Sequence, residues 1–117
     1  MNNYEQHEKT KNYFKKEFQK AYPKARIFDR HVGMFYRKNG SPIKINKKGM
    51  ADLWAIIPGR LGLIHLEFEI KTGKARLTKE QRDWRDQIEK MGGIYMVVTS
   101  VARAVRTLQA KLEDKIL

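Results

Sequence analysis

The chain has 117 residues, of which 25 are Lys or Arg and 13 are Asp or Glu, so its formal net charge at pH 7 is +12. It has no cysteine, which excludes disulfides and thiolate metal sites, and no apolar run of about 18 residues, so we expect neither a membrane span nor a membrane partner. The length favours a single domain, residues 1–117, and the lack of an apolar signal core at the N-terminus favours an intracellular, cytoplasmic protein.

The first predicted element is a helix from Tyr4 to about Ala21. Residues along one side of it recur at spacings of three and four: Tyr4, His7, Lys11, Phe14, Phe18 and Ala21. Pro23 ends this helix, because the residue before a proline avoids the helical conformation.

Short strands are predicted between Ala25 and Asn46. Residues 26–28 and 32–36 are rich in side chains that favour β-strands. Residues 42–46 are expected to pair with 32–36 as a hairpin. Asn39-Gly40 is its turn signal. We expect Phe35 and Tyr36 to lie in the core, with stacking on a splayed nucleic-acid base as the alternative.

A second hairpin is predicted from residues 49–57 and 64–71. Ile64 to Lys71 alternates apolar and polar residues, which is typical of a half-buried strand with one solvated face. A turn centred between Arg60 and Leu61 makes paired residue numbers sum to 121. This register places Asp52 opposite Glu69 on one face of the sheet, with Lys71 beside them.

The last third of the chain predicts a helix, a strand and a helix. Thr78 and Gln81 form a capping box, and the stripe Gln81, Trp84, Ile88 and Met91 is expected to face inward. Gly92-Gly93 ends that helix, and residues 94–99 are predicted as an interior strand of the sheet. Ser100 caps a final helix whose apolar stripe is Val101, Ala104, Val105, Leu108, Leu112 and Ile116. The fold class is therefore α/β (α+β), a mixed sheet flanked by helices in the order αβββαβα.

Two carboxylates held as close as Asp52 and Glu69 repel each other unless a positive charge joins them. Lys71 supplies one such charge, and Mg²⁺ or Mn²⁺ is the natural second, because hard cations bind oxygen ligands and can activate water. Glu67 lies on the same face, where it either binds a second ion or balances Lys71. His65 is further away and is expected to be structural.

The ordered set Gly49, Asp52, Glu69-Ile70-Lys71, Leu77-Thr78-Lys79-Glu80-Gln81 and Gly92-Gly93 resembles the VRR-NUC (virus-type replication-repair nuclease) family of the PD-(D/E)xK superfamily. The resemblance covers roughly residues 25–101, and Ala51 stands where that family has a proline. It implies a restriction-endonuclease-like core and hydrolysis of DNA phosphodiester bonds in the cytoplasm of a bacterium or of a phage-infected host cell.

The resemblance also implies roles for individual residues. Asp52, Glu69 and the backbone carbonyl of Ile70 would bind the metal. Lys71 would position or help deprotonate the attacking water and offset negative charge in the transition state. Gln81 would orient Lys71 or water, with a purely structural capping role as the alternative. An acid from the first helix often joins such sites; Glu5, Glu8 and Glu17 are candidates, and Glu8 is the preferred one.

Basic residues flank the predicted site in the sequence and are expected to bind nucleic acid: Arg30, Arg37, Lys38, Lys44, Lys47, Lys48, Lys74 and Arg76. The charge is uneven, since residues 1–50 hold 13 Lys and Arg against 4 acids, a net +9, while residues 51–117 hold 12 against 9, a net +3. Such a field favours a polyanion, most commonly nucleic acid.

No sequence-reading motif is recognisable, so backbone shape rather than base sequence is the expected target. Stand-alone members of the VRR-NUC family resemble Holliday-junction resolvases, so the resemblance implies branched DNA cut by a C₂ homodimer. Its interface would use the hairpin of residues 32–45 (Met34, Phe35, Tyr36, Ile43 and Ile45) or, as an alternative, the C-terminal helix with Ile116 and Leu117. Flap, nicked or single-stranded DNA are alternative substrates, and a non-catalytic basic DNA-binding protein or an RNA-binding protein are alternative functions.

Overall fold

A four-stranded mixed sheet organises the fold in this computed structural model, which describes residues 2–31 and 33–117. Its helices are α1 (Asn3–Ala21), α2 (Lys79–Lys90) and α3 (Val101–Leu112). Its strands are β1 (Arg26–Asp29), β2 (Gly33–Tyr36), β3 (Pro42–Ile45), β4 (Leu53–Gly59), β5 (Gly62–Ile70) and β6 (Ile94–Val98). The sheet order is β1-β4-β5-β6, and β2 and β3 form a separate hairpin. Counting only the main sheet, the elements follow the predicted order αβββαβα.

The register predicted for the central hairpin is confirmed. Strands β4 and β5 pair antiparallel from Leu53 opposite Phe68 to Gly59 opposite Gly62, so every pair of residue numbers sums to 121. The alternation of β5 and its short turn define this register, because a slip of one residue would exchange the two faces. Asp52 lies one residue before β4 and is therefore held at the end of the hairpin that also carries Glu69.

Helices α1 and α3 cover one face of the sheet and enclose the main core. Phe68 of β5 contacts Phe14 and Phe18 of α1, with ring centroids 4.8 and 5.4 Å away. All three rings are fully buried, and burying each such side chain contributes about 1.5–3 kcal/mol. The prediction that Ile116 extends the stripe of the last helix is wrong. Helix α3 ends at Leu112, and Ile116 bridges to Gly59 of β4 instead.

The opposite face of the sheet is covered over the second half of β5, whereas the prediction made it solvated. Helix α2 packs over it and forms a small second cluster with Ala51, Ile88 and Tyr95 buried and with Leu77 and Trp84 against them. As a result Glu67 and Glu69 are only 0% and 3% exposed. The inward stripe predicted for α2 fails at its end, because Met91 is 74% exposed at the helix terminus.

Two further predictions are corrected by the topology. Strand β6 pairs only with β5 in the described sheet and is an edge strand, although helices α2 and α3 contact it. The hairpin of β2 and β3 forms as predicted, but Phe35 and Tyr36 are 45% and 71% exposed rather than in the core. Val32 lies outside the described residues, as do the side chains of Met34 and Ile45.

Both ends of α2 are built as predicted. Thr78 and Gln81 form the reciprocal capping box, and the N–H groups of Gly92 and Gly93 donate to the carbonyls of Glu89 and Ile88, which is a Schellman motif. None of the helices in the described ranges is long and apolar enough to cross a membrane.

Gly49 is required where the loop before Asp52 meets the first turn of α2. Its φ is +96°, and a Cβ there would lie 2.5 Å from the carbonyl oxygen of Glu80. We expect Gly49→Ala to destabilise the protein well beyond the roughly 1–2 kcal/mol that a left-handed conformation costs a non-glycine residue.

Gly40→Ala is the matched control, because Gly40 has a φ of +88° but no atom within 4 Å of the position that a Cβ would take there. Urea unfolding of both variants separates backbone strain, which they share, from the steric contact that only Gly49→Ala makes. Equal losses of stability would contradict the close approach of this loop to α2.

Candidate active site

A polar cleft of about 330 Å³ opens at the end of the β4–β5 hairpin. It gathers residues from α1, from the β2–β3 hairpin, from the loop before β4, from β5 and from the start of α2. Its described lining comprises His7, Glu8, Lys11, Arg30, His31, Phe35, Gly49, Met50, Asp52, Glu69 and Gln81. Five of the residues predicted from the sequence to form the site therefore line one cleft: Glu8, Arg30, Asp52, Glu69 and Gln81.

Asp52 and Glu69 form the acidic centre of this cleft. Asp52 Oδ2 accepts the backbone N–H of Ile70 at 2.8 Å and lies 3.2 Å from Nε2 of His7. Glu69 is buried, and its Oε1 has no hydrogen-bond partner among the described residues. Burial, the negative charge of Asp52 and a hydrogen bond with Asp52 raise the pKa of Glu69 to about 9, although Lys71 acts in the opposite direction.

This arrangement fits a hard divalent cation. A buried carboxylate oxygen without a partner, beside a second carboxylate, presents oxygen ligands of the kind that Mg²⁺ or Mn²⁺ binds, and Mg²⁺ commonly uses only one or two carboxylates plus water. Within the described ranges no group of three His, Asp or Glu side chains is arranged to hold a metal. Asp52 and Glu69 would therefore hold the ion, and the Ile70 carbonyl remains a predicted further ligand.

Glu8 lines the cleft but is engaged by a neighbour. Its Oε2 lies 3.0 Å from Nζ of Lys11, one turn further along α1. Lys11 also pairs with Asp29 of β1 at 3.2 Å, so it links α1 to the sheet. Glu8 could bind a metal only by sharing its carboxylate with this lysine, and its role as a ligand stays a prediction.

Lys71 and Gln81 flank the loop that joins β5 to α2, and only Gln81 is among the described residues that line the cleft. Lys71 is half-buried, its N–H donates to the carbonyl of Val98 at 3.0 Å, and its charge favours ionised Glu69. Gln81 Oε1 accepts the N–H of Thr78 at 2.9 Å while the residue lines the cleft. The capping role is confirmed, and a role toward Lys71 or water stays a prediction.

Glu67 is paired with Arg30 rather than with Lys71, and its role as a ligand of a second ion stays a prediction. The carboxylate is fully buried and accepts hydrogen bonds from both terminal nitrogens of Arg30. It also accepts from Nε1 of Trp84 at 2.9 Å and from Nε2 of His65 at 2.5 Å. Burial alone would raise its pKa, but the hydrogen bonds from Arg30, Trp84 and His65 hold the pKa of Glu67 below its ordinary value.

The basic residues predicted to bind nucleic acid fall into two groups. Arg30 is largely buried, with its side chain only 11% exposed and its guanidinium bonded to Glu67 and to the Ala51 carbonyl, so it forms part of the cleft wall. The others are exposed on the β2–β3 hairpin and on the loops that lead into Gly49 and α2: Arg37, Lys38, Lys44, Lys47, Lys48, Lys74 and Arg76.

Sequence reasoning missed two residues at this site. His7 belongs to the side of α1 whose residues recur at spacings of three and four, and a histidine on that side was the available signal. Tyr95 of β6 pairs in register with Glu67, and its buried hydroxyl has no partner among the described residues. Burial and the charges of Glu69 and Asp52 raise the pKa of Tyr95. No sequence signal defines a parallel register, so Tyr95 could not have been identified.

Comparisons of the chain with known proteins found no matching protein-family model, no matching curated protein and no matching solved structure. The resemblance to the VRR-NUC family thus rests on the motif residues of the chain.

The raised pKa of Glu69 predicts a specific dependence of stability on pH. The folded protein keeps a proton on Glu69 that the unfolded chain releases near its ordinary value, so this contribution falls as pH rises from about 5 to about 9. Since one pKa unit corresponds to ~1.4 kcal/mol, the loss is on the order of a few kcal/mol.

Glu69→Gln removes the ionisable group and should flatten this decline. Urea unfolding at several pH values in EDTA measures the free energy of unfolding of both proteins. The contributions of the other titrating groups cancel in the difference between the two. Glu113→Gln, an exposed substitution after α3, is the control and should keep the wild-type slope. Parallel stability curves for wild type and Glu69→Gln would contradict the assignment.

Proposed function

We propose that this chain is a metal-dependent DNA endonuclease of the PD-(D/E)xK type. The observation that carries the proposal is the pairing of Asp52 with Glu69, a buried carboxylate that has an unpartnered oxygen, in a cleft beside Lys71. Buried acids with strongly shifted pKa values are typical of functional sites, because a structural role alone rarely leaves such a group unsatisfied.

Each residue has a defined part in hydrolysis. Asp52 and Glu69 would hold the cation, whose charge would favour the ionised form of Glu69. Lys71 acts on the pKa of Glu69 in the same direction, orients the attacking water and offsets negative charge on the phosphate. When bound, Mg²⁺ or Mn²⁺ would supply acidification of water and charge stabilisation in the transition state. The water oxygen attacks phosphorus as the bond to the leaving oxygen breaks; the water releases one proton to solvent and the leaving oxygen takes one up, giving one phosphate end and one hydroxyl end.

The distribution of charge supports nucleic acid as the substrate. The exposed cations Arg37, Lys38 and Lys44 lie on the β2–β3 hairpin, whose Phe35 also lines the cleft. Lys47 and Lys48 lead from this hairpin toward Gly49, and Lys74 and Arg76 follow β5. Contacts of this kind bind the phosphate backbone without reading base sequence, which favours recognition of DNA shape.

Selectivity for branched DNA and assembly as a homodimer belong to the same proposal. Of the two interfaces considered, the C-terminal helix is the poorer, because Val101, Ala104, Leu108 and Leu112 are buried in the chain's own core and only Leu117 is largely exposed. The β2–β3 hairpin, with Tyr36 71% exposed, is the better candidate. Paired cuts in a four-way junction would then need one site from each protomer.

Asp52→Asn and Glu69→Gln should each reduce Mg²⁺-dependent cleavage of DNA by several orders of magnitude while leaving DNA binding intact. Each removes a charged metal ligand, and neither removes a basic residue. A cleavage assay with labelled duplex, flap and four-way junction DNA, in Mg²⁺, Mn²⁺ or EDTA, measures the loss. The substitution Glu113→Gln, at an exposed residue, serves as the control. Near-normal cleavage by either site variant would contradict the proposal.

The protein should behave as a dimer of the 13.8 kDa chain at micromolar concentration and should cut a four-way junction faster than a linear duplex of the same sequence. Light scattering gives the mass, and Tyr36→Lys should shift it toward the monomer, because a charge replaces an exposed aromatic ring. A monomeric wild-type protein with equal rates on both substrates would exclude the resolvase hypothesis and leave the nuclease assignment standing.

A further inference from the structure

A second opening lies beside the candidate active site. This slot has a volume of about 470 Å³, within the range of roughly 300–1,000 Å³ that is typical of small-ligand sites. Its described lining comprises Asp29, Arg30, His31, Phe35, Asn46 and Trp54. Arg30, His31 and Phe35 also line the cleft that holds Asp52 and Glu69, so the slot and the cleft share a wall.

The sheet side of the slot is aromatic. Trp54 of β4 stacks on Phe28 of β1, with ring centroids 4.6 Å apart and planes 28° from parallel. The ring of His65 of β5 is also nearly parallel to Trp54, with centroids 5.9 Å apart and planes 22° from parallel. Phe28 is 41% exposed and Trp54 is half-buried, so part of this row of rings faces solvent, and Trp54 lines the slot itself. Phe35, 45% exposed, lines the slot from the β2–β3 hairpin.

The charged groups that line the slot are paired within the protein, so neither of them opposes the entry of an uncharged base. The carboxylate of Asp29 is neutralised by Lys15 at 2.5 Å and by Lys11 at 3.2 Å. Arg30 adds a guanidinium that Glu67 holds in a fixed position. Asn46 donates from Nδ2 to the carbonyl of His31 at 2.5 Å, which ties the end of β3 to the loop that follows β1.

We propose that this slot binds an unpaired base of a nucleic acid, with the base stacked on Trp54 and Phe35 while its backbone continues into the cleft of Asp52 and Glu69. The proposal rests on the proposed function, because it needs a nucleic-acid strand in that cleft. A flat aromatic ligand fits a row of nearly parallel rings, and stacking on such rings tolerates any base. The enzyme would therefore select substrates with an unpaired nucleotide next to the cut phosphate.

Binding in EDTA tests the slot without requiring catalysis. The probes are a fluorescein-labelled oligothymidylate and an abasic strand of equal length, which has the same phosphates and no bases. Fluorescence anisotropy should show that wild-type protein binds the base-bearing strand about 10-fold more tightly. Trp54→Ala should lose this preference and keep the affinity for the abasic strand, whereas Trp54→Phe should retain most of it.

Two further variants keep the test decisive. Phe35→Ala changes an exposed hairpin residue that is not part of the core, so it should weaken the preference for bases without unfolding the protein. Tyr13→Ala removes an exposed aromatic ring of α1, 55% exposed and not among the residues that line the slot, and should leave the preference unchanged.

The outcomes separate the two proposals. Equal affinity of the wild type for both strands, or an unchanged preference in Trp54→Ala and Phe35→Ala, would overturn the slot. Conversion of a dimer to a monomer by Trp54→Ala, with the base preference retained, would also overturn it and would assign the rings to contact with a second copy. A base preference without any cleavage would leave the slot standing and reject the nuclease.

Discussion

The hydrogen bonds to the buried carboxylate of Glu67 are the interaction on which the rest of this structure depends. An unpaired charge in that position would cost several kcal/mol, so the fold must bring donors to it. Arg30 arrives from the end of β1, Trp84 from α2 and His65 from β5 itself. These three contacts hold the edge strand, the covering helix and the central hairpin in one arrangement. Because Arg30 lines both openings, the same interaction gives the cleft and the slot their common wall.

Glu67 and Glu69 are two residues apart on one strand and both are buried. Their surroundings nevertheless shift their pKa values in opposite directions. Hydrogen bonds hold the pKa of Glu67 low, while burial and the nearby Asp52 raise the pKa of Glu69 to about 9. One carboxylate is therefore fully used in stabilising the fold. The other retains an unpartnered oxygen at the edge of a cleft, and a bound cation would satisfy it. This contrast separates the structural acid from the candidate catalytic acid.

The sequence allowed the central hairpin to be predicted in detail, because alternation along β5 and a short turn leave one register that keeps Phe68 inside. Helix ends were predictable where local chemistry decides them, as at Thr78 and Gly92. Burial of Glu67 was not predictable, since it depends on Arg30, 37 positions earlier in the chain. The exposure of Phe35 and the edge position of β6 likewise depend on which strands pair, and apolar composition alone does not determine pairing.

The β2–β3 hairpin has a special position in this architecture. It lies between β1 and β4 in the chain but outside the four-stranded sheet, and bonds between Arg37, Asn39 and Ser41 stabilise its turn locally. Asn46 anchors its far end to the His31 carbonyl. Substitutions at its exposed positions should therefore have little effect on the stability of the main core, because no residue of the hairpin belongs to the described core clusters. The β4–β5 hairpin and the residue before it supply the acidic centre, whereas the β2–β3 hairpin supplies Phe35 and exposed cations beside it. Under the proposed function, chemistry and substrate selection would therefore reside in separable parts of one small protein, and selection could change without loss of the fold that holds Asp52 and Glu69 together.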